Sequence, residues 1–365
     1  MTLNSSDRKI SQTSLYTRRA STLLFAATAF ATALACGTDD EEPDDEAMEV
    51  DPLASYTPAS MGPNANGVTF PMGVQDWGVV SAIARPDAMG NMRVLLGNEI
   101  AVDAARSGNI NPWPEGTMLS HLVWGAEANP DDPAAATVNP AAFRAVTLMV
   151  KDSTKYAADG NWAYGRWGGE MLMSPAADDT DLLNRGCVGC HTDSVADKDM
   201  VFTDPPVFPT QEQIDALAPG GNGVEAPDGI LDWRVLGVAR ISNAMGQQVR
   251  VLVGNNTAVN AYRAGQTNTA WPDGSMISHF VWGAVENPDN NIPGALVPSN
   301  LGAITLMQRS STLYGEAGNW AYGRWGAPDF APLASDGDCV ACHTANVQDR
   351  DMVFNRLGEL PALLR

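Results

Sequence analysis

The octapeptide GNWAYGRW occupies residues 160–167 and recurs without change at residues 318–325. It is short and rich in aromatic residues, which is typical of a β-strand. An exact repeat of this length indicates an internal duplication, and further matches extend it along the chain. They are residues 76–77 with 232–233, 92–98 with 249–255, 113–116 with 271–274, 120–125 with 278–283, and 199–202 with 351–354.

The duplication predicts two similar domains, because the period is too long for a solenoid. We place the first domain at residues 71–202 and the second at residues 230–358. Residues 203–229, rich in proline and glycine, are expected to form a linker. Residues 36–70 include an acidic, proline-containing run that predicts a solvated tether.

Each domain is expected to be a mainly antiparallel β-sheet with a few helices, an α+β class. Residues 118–125, 143–151 and 161–168 are rich in β-branched or aromatic residues and are bounded by turn formers, so they predict strands. The alanine-rich residues 99–106 and 256–263 predict a helix in each domain.

Cys-x-x-Cys-His occurs twice, at residues 187–191 and 339–343. This is the attachment signature of c-type haem, in which the two thiols form thioethers and the histidine binds iron. A zinc site and a redox dithiol are the alternatives, but zinc ribbons bring their pairs together over a shorter spacing. The sequence thus predicts two covalently attached haem c groups. The first haem would be attached through Cys187 and Cys190 with His191 binding its iron, and the second through Cys339 and Cys342 with His343 binding its iron.

The first 35 residues resemble a bacterial export signal. A basic region is followed by a short apolar segment, and the segment ends at Ala33-Leu34-Ala35-Cys36. We favour a lipoprotein signal in which Cys36 is lipidated, since this also explains the fifth cysteine. Cleavage after Ala35 that leaves a free thiol is the alternative. Both predict export, and the lipid anchor favours the periplasmic side of the outer membrane.

The net charge of −21 disfavours nucleic-acid binding, which needs a basic surface. It would instead steer a basic redox partner toward the protein.

Two histidines lie outside the attachment motifs, at equivalent strand positions. His121 and His279 each share a face with apolar residues, and they predict either a distal haem-pocket residue or a satisfied core residue. Arg166 and Arg324 are candidates for pairing with haem propionates, or for a surface or cation–π role. Paired methionines, at 118/276, 149/307 and 200/352, are rival sixth ligands, although most such methionines are core residues.

Taken together, the GNWAYGRW octapeptide, the Cys-x-x-Cys-His-Thr motif, the closing Asp-Met-Val-Phe and the Trp-Pro-Asp/Glu-Gly turn resemble the cytochrome P-460 / cytochrome c′-beta family. The resemblance covers most of each repeat. It implies an antiparallel β fold, five-coordinate haem with proximal His191 and His343, and often a homodimer. It also implies either oxidation of hydroxylamine and nitric oxide or the binding of such small molecules.

The sequence departs from the oxidising members at one strand. There a lysine cross-links to the haem macrocycle, whereas this chain has His121 and His279. We therefore expect an exported dihaem c-type cytochrome that transfers electrons in the periplasm. The alternative is an oxidoreductase or binding protein that acts on hydroxylamine or nitric oxide at an open haem iron.

Overall fold

The structure is a computed structural model that describes residues 63–365, except for 65, 86–89, 133–135, 170, 174–185, 221–222, 244–245, 267–269, 288, 290–293 and 333–335. The predicted signal peptide, Cys36 and most of the predicted tether lie outside the described residues. Among the helices that are described, none has the length and apolar character needed to cross a membrane.

The first repeat is a five-stranded antiparallel sheet whose strands pair in chain order. One helix connects β2 to β3, and a second follows β5 and carries the first Cys-x-x-Cys-His motif. The elements are β1 (Gly78–Arg85), β2 (Asn91–Gly97), α1 (Glu99–Ser107), β3 (Met118–Ala128), β4 (Val138–Lys151), β5 (Trp162–Gly168) and α2 (Gly189–Val195).

The second repeat has the same order of strands and helices. A short helix, α3 (Gln211–Asp215), precedes it, and a two-residue strand follows the last long strand. The elements are β6 (Arg234–Asn243), β7 (Gly246–Gly254), α4 (Asn256–Arg263), β8 (Met276–Glu286), β9 (Leu296–Arg309), β10 (Trp320–Gly326), β11 (Ala331–Pro332) and α5 (Asp336–Val347).

The predicted strands and the alanine-rich helices are confirmed. Helix α1 begins where the Asn98 side chain accepts a hydrogen bond from the Ala101 N–H, and it ends at Gly108, whose φ of 74° suits glycine. The sequence pattern did not predict β1 and β2. Seven of the eight residues of β1 are buried, so that strand shows no alternation of polar and apolar positions.

The two repeats are related by an internal twofold arrangement. β1 meets β9 at Ala84 and Leu296, and β4 meets β6 at Val138 and Arg240. Ala84 and Arg240 are equivalent positions, as are Val138 and Leu296, so the two contacts are copies of each other. One hydrophobic cluster runs through both repeats, and they form one compact unit.

The segment that follows each haem motif crosses to the other repeat. The Trp124 Nε1–H donates to the Glu359 carbonyl at 3.1 Å, and the equivalent Trp282 Nε1–H donates to the Val207 carbonyl at 3.3 Å. Phe208 also packs its ring against Trp282, with 5.3 Å between centroids. The predicted linker, residues 203–229, thus packs against β8 of the second repeat and contains α3.

Candidate functional site

A cavity of about 260 Å³ lies beside the first Cys-x-x-Cys-His motif. Its walls come from β1 to β5, from the motif and from the segment that follows the motif. It brings together six residues that were singled out from the sequence: His121, Met149, Arg166, Cys187, Cys190 and His191. The octapeptide contributes Tyr164, Gly165 and Arg166 to this wall, which gives the most exact repeat in the chain a place in the site.

Each motif histidine is oriented by a main-chain carbonyl. The distance from Nδ1 of His191 to the Met200 oxygen is 2.5 Å, and that from Nδ1 of His343 to the Met352 oxygen is also 2.5 Å. Because a carbonyl oxygen only accepts, Nδ1 must carry the proton and Nε2 must carry the lone pair. This is the tautomer that a histidine needs in order to bind a metal through Nε2.

The Asp-Met-Val-Phe turn explains why that carbonyl faces the histidine. Asp199 and Met200 have φ of 51° and 68°, and the equivalent Asp351 and Met352 have 49° and 66°. Two successive left-handed residues reverse the chain and bring the methionine carbonyl back over the helix. The Met200 N–H also donates to the Val195 carbonyl at 2.9 Å. From the sequence, this motif was identified as the end of each repeat and as part of the family resemblance, and Met200 and Met352 were candidate iron ligands; the role of the main-chain carbonyl was not predicted.

The aspartate of the turn is partly buried, with 10–11% of its side chain exposed, and it makes several polar contacts. One oxygen of Asp199 accepts from the Trp113 N–H at 2.7 Å and forms an ion pair with Lys151. In the second repeat, Asp351 accepts from the Trp271 N–H at 2.7 Å and pairs with Arg309 Nε at 3.0 Å. The turn is therefore tied to the sheet in both repeats.

Two aromatic rings enclose each motif histidine. Tyr164 and Phe202 lie with their centroids 4.8 Å from that of His191. Tyr322 and Phe354 lie at 4.7 and 4.8 Å from His343. Burial lowers the pKa of both histidines, against the opposing effect of the methionine carbonyl. The rings are thus neutral and held in one orientation.

None of the four motif cysteines forms a disulfide within the described part of the chain. Cys187 and Cys339 are half-buried, whereas Cys190 and Cys342 are exposed. Burial raises the pKa of Cys187, and Arg166 opposes that effect. Across the described part of the chain, no three His, Cys, Asp or Glu side chains are grouped as they would be around a metal ion.

The other two histidines lie opposite threonines in the sheet. His121 on β3 pairs with Thr147 on β4, and His279 pairs with Thr305 in the same way. Burial, with a smaller effect of a nearby arginine, lowers the pKa of both histidines to about 3. Both imidazoles are therefore neutral at pH 7.

The two histidines differ at Nε2. In the first repeat, this atom of His121 is buried and finds no hydrogen-bond partner among the residues described. In the second repeat, Nε2 of His279 lies 3.0 Å from Oδ1 of Asn355. The residue equivalent to Asn355 is Thr203, which lines the first cavity and is 4% exposed.

Arginines concentrate around the sites, and two of them were missed from the sequence. Arg93 lines the first cavity with Arg166. Arg250, the equivalent of Arg93, is buried close to Arg324, and these two effects lower the pKa of Arg250 to about 10. A repeated Arg at positions 93 and 250 was the signal that could have found them. Pairing of Arg166 and Arg324 with propionates stays a prediction.

The methionines separate into two groups. Met149 lines the cavity, so it stays a candidate. Met200 and Met352 are buried, and each contacts a glycine of its own repeat, Gly160 or Gly318. Their role visible in the structure is the carbonyl that orients the motif histidine.

The site fits a c-type haem on its own chemistry. Each motif has two cysteines outside any disulfide on a helical segment, and a histidine whose tautomer leaves the Nε2 lone pair for iron. The first motif also adjoins a cavity with a cationic wall. A family model described as cytochrome P460 matches residues 71–203 and again residues 227–355. No curated protein matches the chain significantly. Because the two matches cover more than half of the sequence, the chain belongs to the cytochrome P460 family, with two copies of the domain.

Proposed function

We propose that this tandem member of the cytochrome P460 family is an exported dihaem c-type cytochrome that transfers electrons in the periplasm. The observation that carries the proposal is the shared geometry of the two motif histidines. Both donate Nδ1–H to a methionine carbonyl, and both are enclosed by a tyrosine and a phenylalanine. The contact with the carbonyl leaves the Nε2 lone pair of both histidines available for iron. A histidine with a purely structural role would not require this tautomer at two equivalent positions.

Each domain would hold one haem with its own residues. Cys187 and Cys190 would form the thioethers in the first domain, and His191 would bind the iron. Cys339, Cys342 and His343 would do the same in the second. The bound group supplies a one-electron couple and an axial position on iron. The Met200 and Met352 carbonyls hold the proton on Nδ1, which raises the electron-donating power of the iron-bound nitrogen.

Electron exchange needs an accessible route to the surface. Cys190 and Cys342 are exposed, so the haem edge that each would bind faces solvent. The net charge of −21 favours a basic partner, whose approach would be accelerated at low ionic strength. Lipidation of Cys36 would keep the protein at the periplasmic face of the outer membrane.

A second function, the binding of nitric oxide or hydroxylamine, is favoured by one observation. The first cavity contains the buried Nε2 of His121 with no partner in the described part of the protein. Oxidation by the cross-linked route is disfavoured, because the chain has no lysine after Lys198. In the first repeat, Lys151 pairs with Asp199, and Lys198 pairs with Asp289.

Haem attachment is tested by removing one motif at a time. Pyridine haemochrome assays on full-length protein should give two haems per chain for the wild type. They should give one haem after Cys187→Ser with Cys190→Ser, and one after Cys339→Ser with Cys342→Ser. Two haems in either double variant would refute covalent attachment at that motif.

Electron transfer is tested on the same protein. Stopped-flow reduction of a basic c-type cytochrome by the reduced holoprotein should slow several-fold when salt rises from 0.01 to 0.15 M, since the Debye length falls from about 30 to about 8 Å. No electron exchange at either ionic strength would count against the proposal and favour the binding of small molecules.

A further inference from the structure

The two sites share their frame but differ at one position. Both have a histidine opposite a threonine, and both have an arginine at the next strand, at positions 93 and 250. After the closing Phe of each motif, however, the chain continues with Thr203 in the first repeat and with Asn355 in the second. The different residue lies beside the histidine that is not in the motif.

In the second repeat, the Asn355 side chain engages the histidine fully. His279 Nδ1 lies 2.8 Å from Thr305 Oγ1, and its Nε2 lies 3.0 Å from Asn355 Oδ1. With the amide oxygen facing the ring, Nε2 carries the proton and donates it. With the amide turned over, its N–H₂ would donate to the Nε2 lone pair instead. In both orientations, Nε2 is occupied by protein.

In the first repeat, the same atom is open. His121 Nδ1 lies 3.3 Å from Thr147 Oγ1, a weaker contact than its counterpart. Its Nε2 is buried at the cavity wall and has no hydrogen-bond partner in the part of the chain that the structure describes. A buried nitrogen without a partner destabilises the folded protein, because it has lost the hydrogen bond that it makes with water when exposed. Such a group calls for a ligand that satisfies it.

We propose that the two haem sites are inequivalent because the first has Thr203 where the second has Asn355. At the first site, Thr203 leaves His121 Nε2 without a protein partner in the cavity that the first motif also lines, so this nitrogen would be available to a haem held there or to a small molecule bound to that haem. At the second site, the hydrogen bond with Asn355 occupies His279 Nε2, so this nitrogen would not be available to a haem or to its ligand. The first site is the one that responds to small ligands through its histidine, and the second serves electron transfer.

This inference rests on the proposed binding of one haem at each motif. The test therefore counts the haems before it compares them. A haemochrome value below two per chain in the wild type would refute the proposed function. A value of two lets the inference be judged by itself.

The comparison uses exchange variants of the full-length ferric holoprotein, read by electron paramagnetic resonance. The wild type should show two haem signals of equal integrated intensity. Asn355→Thr should move the second signal onto the first, and Thr203→Asn should move the first onto the second. The double exchange should restore two signals. Resonance positions report the coordination of iron and are independent of turnover.

Asn355→Ala provides a second route if Asn is not accommodated at position 203. It removes the amide without adding atoms and should also free His279, giving one signal that carries both haems. A single signal in the wild type would overturn the inference. Two signals that neither Asn355→Thr nor Asn355→Ala changes would overturn it as well.

Discussion

Replacing Asp199 by alanine tests whether the Asp-Met-Val-Phe turn ties the haem-binding segment to the sheet. Asp199 and Lys151 form an ion pair in which their side chains are only 10% and 4% exposed. The same carboxylate accepts the Trp113 N–H at 2.7 Å. The substitution therefore leaves a buried ammonium group and a main-chain N–H without their acceptor.

The magnitude follows from that burial. Removing one partner of a buried ion pair costs about 3–5 kcal/mol, because the remaining charge is left without compensation. For a compact unit of this size, each 1 kcal/mol corresponds to roughly 2 °C, so Tm should fall by about 6–10 °C. Asp199→Asn should lower Tm by less, because the amide oxygen can still accept the hydrogen bond from the Trp113 N–H.

The assay is thermal and denaturant unfolding of the holoprotein, followed by circular dichroism. Asp232→Ala is the matched control, because Asp232 also pairs with a cation, Arg106, but is 69% exposed. An exposed pair contributes less than about 1 kcal/mol, so Tm should change by about 2 °C at most. If Asp199→Ala lowers Tm no more than Asp232→Ala does, the turn is not held by this ion pair.

Two further changes test the packing and the charge state of the sites. Gly160→Ala places a Cβ 2.2 Å from Met200 Cε at a φ of 68°, whereas Gly169→Ala at a φ of 72° meets nothing within 4 Å. Both substitutions should lower the free energy of unfolding by roughly 1 kcal/mol, because alanine is strained in the left-handed conformation. Only Gly160→Ala should also shift the spectrum of the first haem. Equal spectral effects in the two variants would contradict a role for the contact with Met200. His279, whose pKa falls from 6.5 to about 3 on folding, stays neutral in the folded protein while the unfolded chain gains a proton below pH 6.5. Stability should therefore be unaffected above pH 7 and should fall by about 2 kcal/mol at pH 5 through this residue. Because His121 also has a pKa of about 3, His279→Gln keeps part of the pH dependence. Urea unfolding should therefore show a loss between pH 7 and pH 5 that is about 2 kcal/mol larger in the wild type than in His279→Gln. Parallel pH profiles would argue against a buried neutral imidazole at position 279.

Short-range patterns were enough to predict the motifs and the last three strands of each repeat's five-stranded sheet. The spacing within the two Cys-x-x-Cys-His segments is enough to predict haem attachment, because the thiols and the histidine must lie on one helical turn. β3, β4 and β5 were predicted because aromatic and β-branched residues stand between turn formers. β1 was missed because it is covered on both sides, so its residues show no alternation that could mark a strand.

The role of Asp199 and Met200 was hidden in the sequence. A methionine invites an interpretation as an iron ligand through sulfur, whereas here its carbonyl is the group that contacts His191. That contact depends on two left-handed residues in succession, and ordinary side-chain types give no signal for such a turn. The repeat of Asp-Met-Val-Phe marked the segment as important without indicating which atom acts.

The sequence by itself determined that the protein is a duplicated, acidic chain with two Cys-x-x-Cys-His motifs, because these properties depend on composition, identity and local spacing. Only the tertiary structure decided how the repeats pair and how their histidines differ. The contacts of Ala84 with Leu296 and of His279 with Asn355 join residues that are 212 and 76 positions apart. Such contacts form because the sheet edges and the crossing segments bury their polar and apolar groups against each other. The sequence around one residue does not indicate which distant residue it will contact.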